Sequence, residues 1–205
     1  MKRSNLIHFI KVSLTVYFFY MLLWGTWYAL HVIDVADIRS NNAWSGSLVF
    51  LPHGARVLMF CFFRYYSLPS LYLADITGPS LLNHQTFDVN FIEGSNIASI
   101  GCIIAVVMSV ELIKWTNISE NKPSLLKPFN FENYKFLILV IVLSSLLSGV
   151  LCNSILVLLN DHITIEVLTV LRFMIGDFLG AITVLFLLWI IFSTLVDKKL
   201  IISPD

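Results

Sequence analysis

VLTVLRFMIGDFLGAITVLFLLWIIFSTLV, residues Val167 to Val196, carries only two charged side chains, Arg172 and Asp177. A helix needs roughly 20 apolar residues to cross a hydrocarbon core about 30 Å thick, and this run exceeds that length. No water is present in lipid to satisfy backbone N–H and C=O groups, so an isolated apolar run of this kind must close its hydrogen bonds internally as a helix. Similar runs precede it at 12–33, 47–63, 68–82, 97–115 and 135–159. The composition agrees: 58% of the 205 residues are hydrophobic and 13% are charged, where a soluble domain is nearer half apolar and a quarter charged. The expected fold is all-α, a polytopic transmembrane bundle of about six helices forming one integral membrane domain over residues 1–205.

Two of the spans carry punctuation. The second contains Leu51-Pro52-His53-Gly54-Ala55-Arg56. Proline lacks a backbone donor and glycine loosens the turn, which predicts a kink or break of helix two at Pro52–Gly54. The third is short, holds Asp75 and ends at Gly78-Pro79, so it reads either as a span or as half of a re-entrant hairpin. The first span follows Met-Lys-Arg-Ser-Asn, a basic start like that of a signal peptide. It is too long for a signal core and lacks a small-residue cleavage site, so it reads as a retained helix.

Basic residues set the expected orientation. Lys2, Arg3 and Lys11 precede helix one, Arg64 sits between helices two and three, Lys114, Lys122, Lys127 and Lys135 surround the fourth loop, and Lys198 and Lys199 follow helix six. The alternate loops hold Arg39 against Asp34, Asp37, Asp88, Glu93, Asp161 and Glu166. Six spans with both termini cytoplasmic put each group on its expected side. Lys+Arg and Asp+Glu are equal at 13 each, so net charge points to no nucleic-acid or acidic partner. The lipid bilayer is the expected surrounding.

A charge at the bilayer centre costs at least ~2.5–3.5 kcal/mol on insertion scales, so ionisable residues within spans need partners or a wet cavity. Such residues are His53, Arg56, Asp75, Arg172 and Asp177, with Glu111 nearer an edge. They predict a buried polar cluster, with Arg56 pairing Asp75 or Asp177. A ligand or ion site and a charge pair that only fixes packing explain these residues equally well. Glu111 and Lys114 read as an interfacial pair on one helix face. Gly176 and Gly180 form a G-x-x-x-G element that lets another backbone approach, expected to come from within the same bundle. Trp24, Trp27, Trp44, Trp115 and Trp189 fall mostly towards helix ends, as interfacial anchors do.

Cys61, Cys102 and Cys152 lie apart in apolar runs without C-x-x-C spacing, and read as small buried hydrophobes. His31, His84 and His162 have no metal-ligand spacing, and no cofactor is implied. Asn117-Ile-Ser119 matches a glycosylation pattern but falls on the expected cytoplasmic side. No nucleophile or phosphate loop is present, so an enzyme is not expected.

Two segments carry a family resemblance. Phe50-Leu-Pro52-His-Gly54-Ala-Arg56-Val-Leu58 is followed by Leu68-Pro69-Ser-Leu-Tyr-Leu-Ala-Asp75, and Arg172-Phe-Met-Ile-Gly176-Asp177-Phe-Leu-Gly180 comes later. These resemble the MASE-type membrane-associated sensor domain at the N-terminus of bacterial histidine kinases and diguanylate cyclases. That family has an aromatic-x-Pro-x-Gly element, a short helix opening on Leu-Pro, and a late Gly-Asp-x-x-Gly element. The resemblance implies a bacterial inner-membrane location and a role in signal transduction, with Pro52, Gly54, Asp177 and Gly180 as core residues. Family members usually have more spans and a fused output domain. This chain stops soon after helix six, so a separate membrane or cytoplasmic protein partner is expected, with a small molecule as the candidate ligand. Two other functions stay open: a small-solute transporter or its membrane substrate-binding subunit, since broken helices and mid-membrane charges serve solutes, and an assembly subunit of a larger membrane complex.

Overall fold

The computed structural model describes residues 3–33, 47–81, 95–116, 134–159 and 165–197. Six α-helices account for nearly all of them: α1 Arg3–Ile33, α2 Leu51–Phe63, α3 Leu68–Ser80, α4 Ser95–Trp115, α5 Tyr134–Leu159 and α6 Val167–Asp197. Among the described residues there is no strand. Five stretches are long and apolar enough to cross a membrane: Asn5–Leu30, Leu51–Ser80, Asn96–Trp115, Tyr134–Leu159 and Val167–Leu195. The chain is a multi-pass membrane protein built as a helical bundle.

The second of those stretches is not one straight rod. Helices α2 and α3 are separated by a single 3₁₀ turn, Arg64–Ser67, and Arg64 takes a left-handed φ of 54°. Its amide N–H still bonds the Phe60 carbonyl, while the Ser67 hydroxyl donates to the Arg64 carbonyl at 2.7 Å. Arg56 and Asp75, 19 residues apart, nevertheless touch at 2.7 Å. In a continuous helix they would lie roughly 28 Å apart at 1.5 Å per residue. The segment therefore doubles back as a helical hairpin. Its tip lies beside the start of α1, with Tyr66 against His8 and Phe9. Its open end lies beside Trp24 and Trp27, with Gly78 under the Trp24 ring and Phe50 edge-on to Trp27. The hairpin thus runs alongside α1 from residue 8 to residue 27, a rise of roughly 28 Å.

Several boundaries differ from those read in the sequence. Helix α1 begins at Arg3 rather than Val12, because charges at an interface do not interrupt helical hydrogen bonding. Helix α2 begins at Leu51 rather than 47 and runs unbroken to Phe63. The break expected at Pro52–Gly54 is instead the beginning of the helix. Pro52 occupies the first turn, where its missing N–H has no intrahelical acceptor to lose. Pro69 opens α3 in the same way, and Pro79 falls in its last turn.

Helix α2 is the centre of the bundle, buried at every position from Leu51 to Cys61. It packs against α1, α4, α5 and α6, while α1 also covers α3, and α4 and α5 pair along their length. The outer helices present lipid-facing stripes: only 17% of the apolar window of α1 and of α6 is buried, against 50% for α4 and α5. Leu14, Phe18 and Leu22 recur at four-residue spacing on the exposed side of α1, the helix face expected against acyl chains.

The glycines of α6 decide how closely α2 approaches it. A Cβ at Gly176 would run into the Ser47 carbonyl oxygen, and one at Gly180 into the Phe50 carbonyl. The Phe50 N–H bonds the Gly176 carbonyl at 2.9 Å. From the other side, a Cβ at Gly54 would lie 2.9 Å from the Val184 side chain. The neighbour admitted by the G-x-x-x-G element is therefore the chain's own entry into α2, as expected.

Candidate functional site

Two residues one helical turn apart on α2, His53 and Arg56, organise the buried polar groups. Arg56 points into the angle between α1 and α3. Its Nη2 donates to Asp75 Oδ1 at 2.7 Å and its Nε to Asp75 Oδ2 at 3.1 Å, the two-pronged geometry that suits a planar guanidinium and a carboxylate. Nη2 also donates to the Tyr20 hydroxyl at 3.2 Å, and Tyr20 donates in turn to Asp75. The guanidinium lies over the Tyr20 and Phe50 rings, 5.8 and 5.3 Å from their centroids. Arg56, Asp75 and Tyr20 are all buried, and Tyr20 lies near the middle of the α1 span. A charge at that depth persists only with such compensation.

His53 lies only about 60° round α2 from Arg56, but it reaches the other pair of helices. Its Nε2 lies 3.0 Å from the Ser144 hydroxyl of α5, and its Nδ1 lies 3.3 Å from Asp177 Oδ2 of α6. The second contact is a close approach without hydrogen-bond alignment, since Nδ1 has no well-aimed partner. Ser148, one turn beyond Ser144, is buried on the same face of α5. The small residues Ser144, Ser145, Ser148 and Gly149 are all buried on the face of α5 turned to the bundle, and their size lets His53 and Asp177 meet there. Cys102 on α4 and Cys152 on α5 are both free thiols.

The contact at His53 Nε2 has a partner in either of two protonation states. A neutral His53 carrying its proton on Nδ1 faces the carboxylate and takes the Ser144 proton at Nε2. A doubly protonated His53 needs an acceptor at Nε2. The Ser144 hydroxyl supplies it by turning its own proton to the Ile141 carbonyl, 3.2 Å away. One hydroxyl rotation serves both states.

Of the residues singled out in the sequence, His53, Arg56, Asp75 and Asp177 lie in this cluster, and Arg56 takes Asp75 rather than Asp177 as its partner. Arg172 is only partly buried, and none of the bonds described above involves it. Five residues before Asp177 on one helix, it lies about 140° around the axis. Gly176 and Gly180 serve packing, as do Pro52 and Gly54. Lys114 and Glu111 pair at 2.6 Å, as their spacing predicts. Trp115 and Trp189 are exposed as membrane anchors should be, but Trp24 and Trp27 are buried; Trp27 Nε1 donates to Ser47 Oγ at 2.9 Å, a structural tie rather than a lipid contact. Tyr20 and Ser148 had no local signal in the sequence, although the serine–glycine series of α5 marks the face where Ser148 lies. Trp44, His84, His162, Asn117 and the loops that carry most of the orientation argument fall outside the described residues.

No protein family, curated protein or solved structure matches the chain.

Proposed function

We propose that this chain is a sensor-like membrane module that acts in signal transduction through a separate partner protein, in the bacterial inner membrane with both termini cytoplasmic. The observation that carries the reading is the position of α2. Its Arg56 is bonded to α1 and α3, while its His53, one turn away, reaches α5 and α6. Any change of proton or ligand occupancy on one side is mechanically shared with the other. Signalling requires that a stimulus bind two helix arrangements unequally. A His–carboxylate contact inside the bundle, adjustable by a serine rotation, is a group whose charge state could bias one arrangement. The short motifs shared with MASE-type sensor domains support the same reading: Pro52 and Gly54 form the start of α2, and Asp177 and Gly180 the α6 face against it.

The test is extraction in a mild non-ionic detergent followed by identification of co-purifying chains, with wild type and Asp177→Asn compared. A stoichiometric kinase or cyclase retained by the wild type, with output altered by Asp177→Asn, is the expected result. Solute uptake by vesicles containing only this protein, abolished by the same substitution, would overturn the reading in favour of transport. A retained complex whose output is indifferent to Asp177 would reduce the chain to an assembly subunit.

A further inference from the structure

Arg64, at the hairpin tip, is a second buried arginine, and its situation is the reverse of Arg56. The residue is 2% exposed, yet among the described residues Nε, Nη1 and Nη2 all lack a hydrogen-bond partner. The backbone that aims it is left-handed, φ 54°, a conformation that a non-glycine residue holds only where its surroundings over-determine it. Those surroundings are the bonds from Ser67 Oγ to the Arg64 carbonyl and from the Arg64 N–H to Phe60. A guanidinium with five donors is thus fixed in a buried position, in a strained turn, with no acceptor among the described residues. Such orphaned charges call for a group from outside the chain.

The neighbourhood specifies its sign and its level. Glu111 is the acidic side chain that acts on Arg64, but it is committed to Lys114 at 2.6 Å. Lys11 lies exposed on α1 near the same end, and His8 lies edge-on to Tyr66. Among the described residues this end of the bundle therefore carries a basic excess. Tyr65 and Tyr66 on the tip and Trp115 at the end of α4 are all exposed, and such aromatic side chains collect at the headgroup level of a bilayer. Basic pockets between helices at that level suit phosphate headgroups, and a guanidinium matches the planar spread of phosphate oxygens.

We propose that Arg64 anchors a phosphate-binding site at the tip of the α2–α3 hairpin and that its occupant is the headgroup of an anionic phospholipid. Entry requires side chains at the tip to part, and the half-exposed Tyr65 and Tyr66 are the adjacent groups with room to do so. This site is separate from the His53–Asp177 cluster and does not rest on the signalling role.

The experiment uses the full chain, delipidated in a mild detergent and titrated with dioctanoylphosphatidylglycerol, with dioctanoylglycerol, and with inorganic phosphate. Native mass spectrometry reads bound ligand and a melting curve reads stabilisation. Retention of the phosphatidylglycerol but not the diacylglycerol is expected, weakened about tenfold or more by Arg64→Gln, because the paired guanidinium–phosphate bonds are lost. Arg64→Lys keeps the charge without the fork and should bind at an intermediate strength, and it carries the comparison if the glutamine variant does not fold. Equal binding by wild type and Arg64→Gln, or by the phosphate-free lipid, would overturn the site. Inorganic phosphate binding as tightly as the phospholipid would overturn the lipid as occupant.

Discussion

Asp75→Asn removes the charge that faces Arg56 while keeping the shape of the side chain. Two bonds from the guanidinium, at 2.7 and 3.1 Å, lose their ionic partner. A hydrogen bond to a charged group contributes about 1.5–3 kcal/mol, so two are worth about 3–6. Breaking a buried pair from one side costs about 3–5 kcal/mol by a separate line of reasoning, the penalty of an uncompensated charge. The two routes agree on a loss of about 3–5 kcal/mol for Asp75→Asn, and a similar loss for Arg56→Met. Replacing both, Arg56→Met with Asp75→Leu, removes the charges together from an interior already apolar. What remains unpaired is the Tyr20 hydroxyl, at about 1–3 kcal/mol. The double variant should therefore be less damaged than either single one. Reversible unfolding in mixed detergent–dodecyl sulfate micelles, followed by tryptophan fluorescence, gives the free energies of wild type, Arg56→Met, Asp75→Leu and the double variant, the four corners of the cycle. If the two single losses simply add in the double variant, the pair is not coupled and the depth argument fails.

Asp177→Asn should cost less than Asp75→Asn, about 1–2 kcal/mol, since its neighbours His53, Ser144 and Ser148 can remain neutral and re-orient; the same unfolding assay ranks the two. Gly180→Ala pushes a methyl group into the Phe50 backbone, which cannot swing away as a side chain can, so a loss of about 1–3 kcal/mol or more is expected. Gly25→Ala, with nothing within 4 Å of the new Cβ, should be neutral or stabilising by about 0.5–1 kcal/mol through helix propensity; melting temperatures of the two variants should shift in opposite directions. Trp27→Phe keeps the ring against Phe50 but loses the 2.9 Å bond to Ser47, an expected loss of about 1 kcal/mol; adding Ser47→Ala costs more, since that hydroxyl also bonds the N–H and C=O of Val49.

The helices are legible because a membrane demands long apolar runs, but depth alone leaves both Asp75 and Asp177 as partners for Arg56, and only the hairpin selects Asp75. Hydropathy gave depth but not azimuth. Arg172 lies about 140° round α6 from Asp177, and Trp24 and Trp27 read as lipid anchors while they pack inward. Pro52 was ambiguous for a related reason: the same residue breaks a helix interior and starts a helix well, and only the position of the first turn separates the two. Tyr20, Ser144 and Ser148 contribute hydroxyls from otherwise apolar helices, and their role exists only once α1 and α5 are laid against α2.

The hairpin has a consequence for biosynthesis. Helices α2 and α3 have 13 residues each, about 20 Å of rise, short of a hydrocarbon core near 30 Å. Each also carries one charge that alone would add ~2.5–3.5 kcal/mol to its transfer into lipid. Emerging from the ribosome, α2 is thus a poor substrate for the insertion machinery until α3 follows it and Asp75 reaches Arg56. The two are expected to enter the membrane as one folded unit, so truncation of nascent chains between Ser67 and Asp75 should leave α2 outside the bilayer.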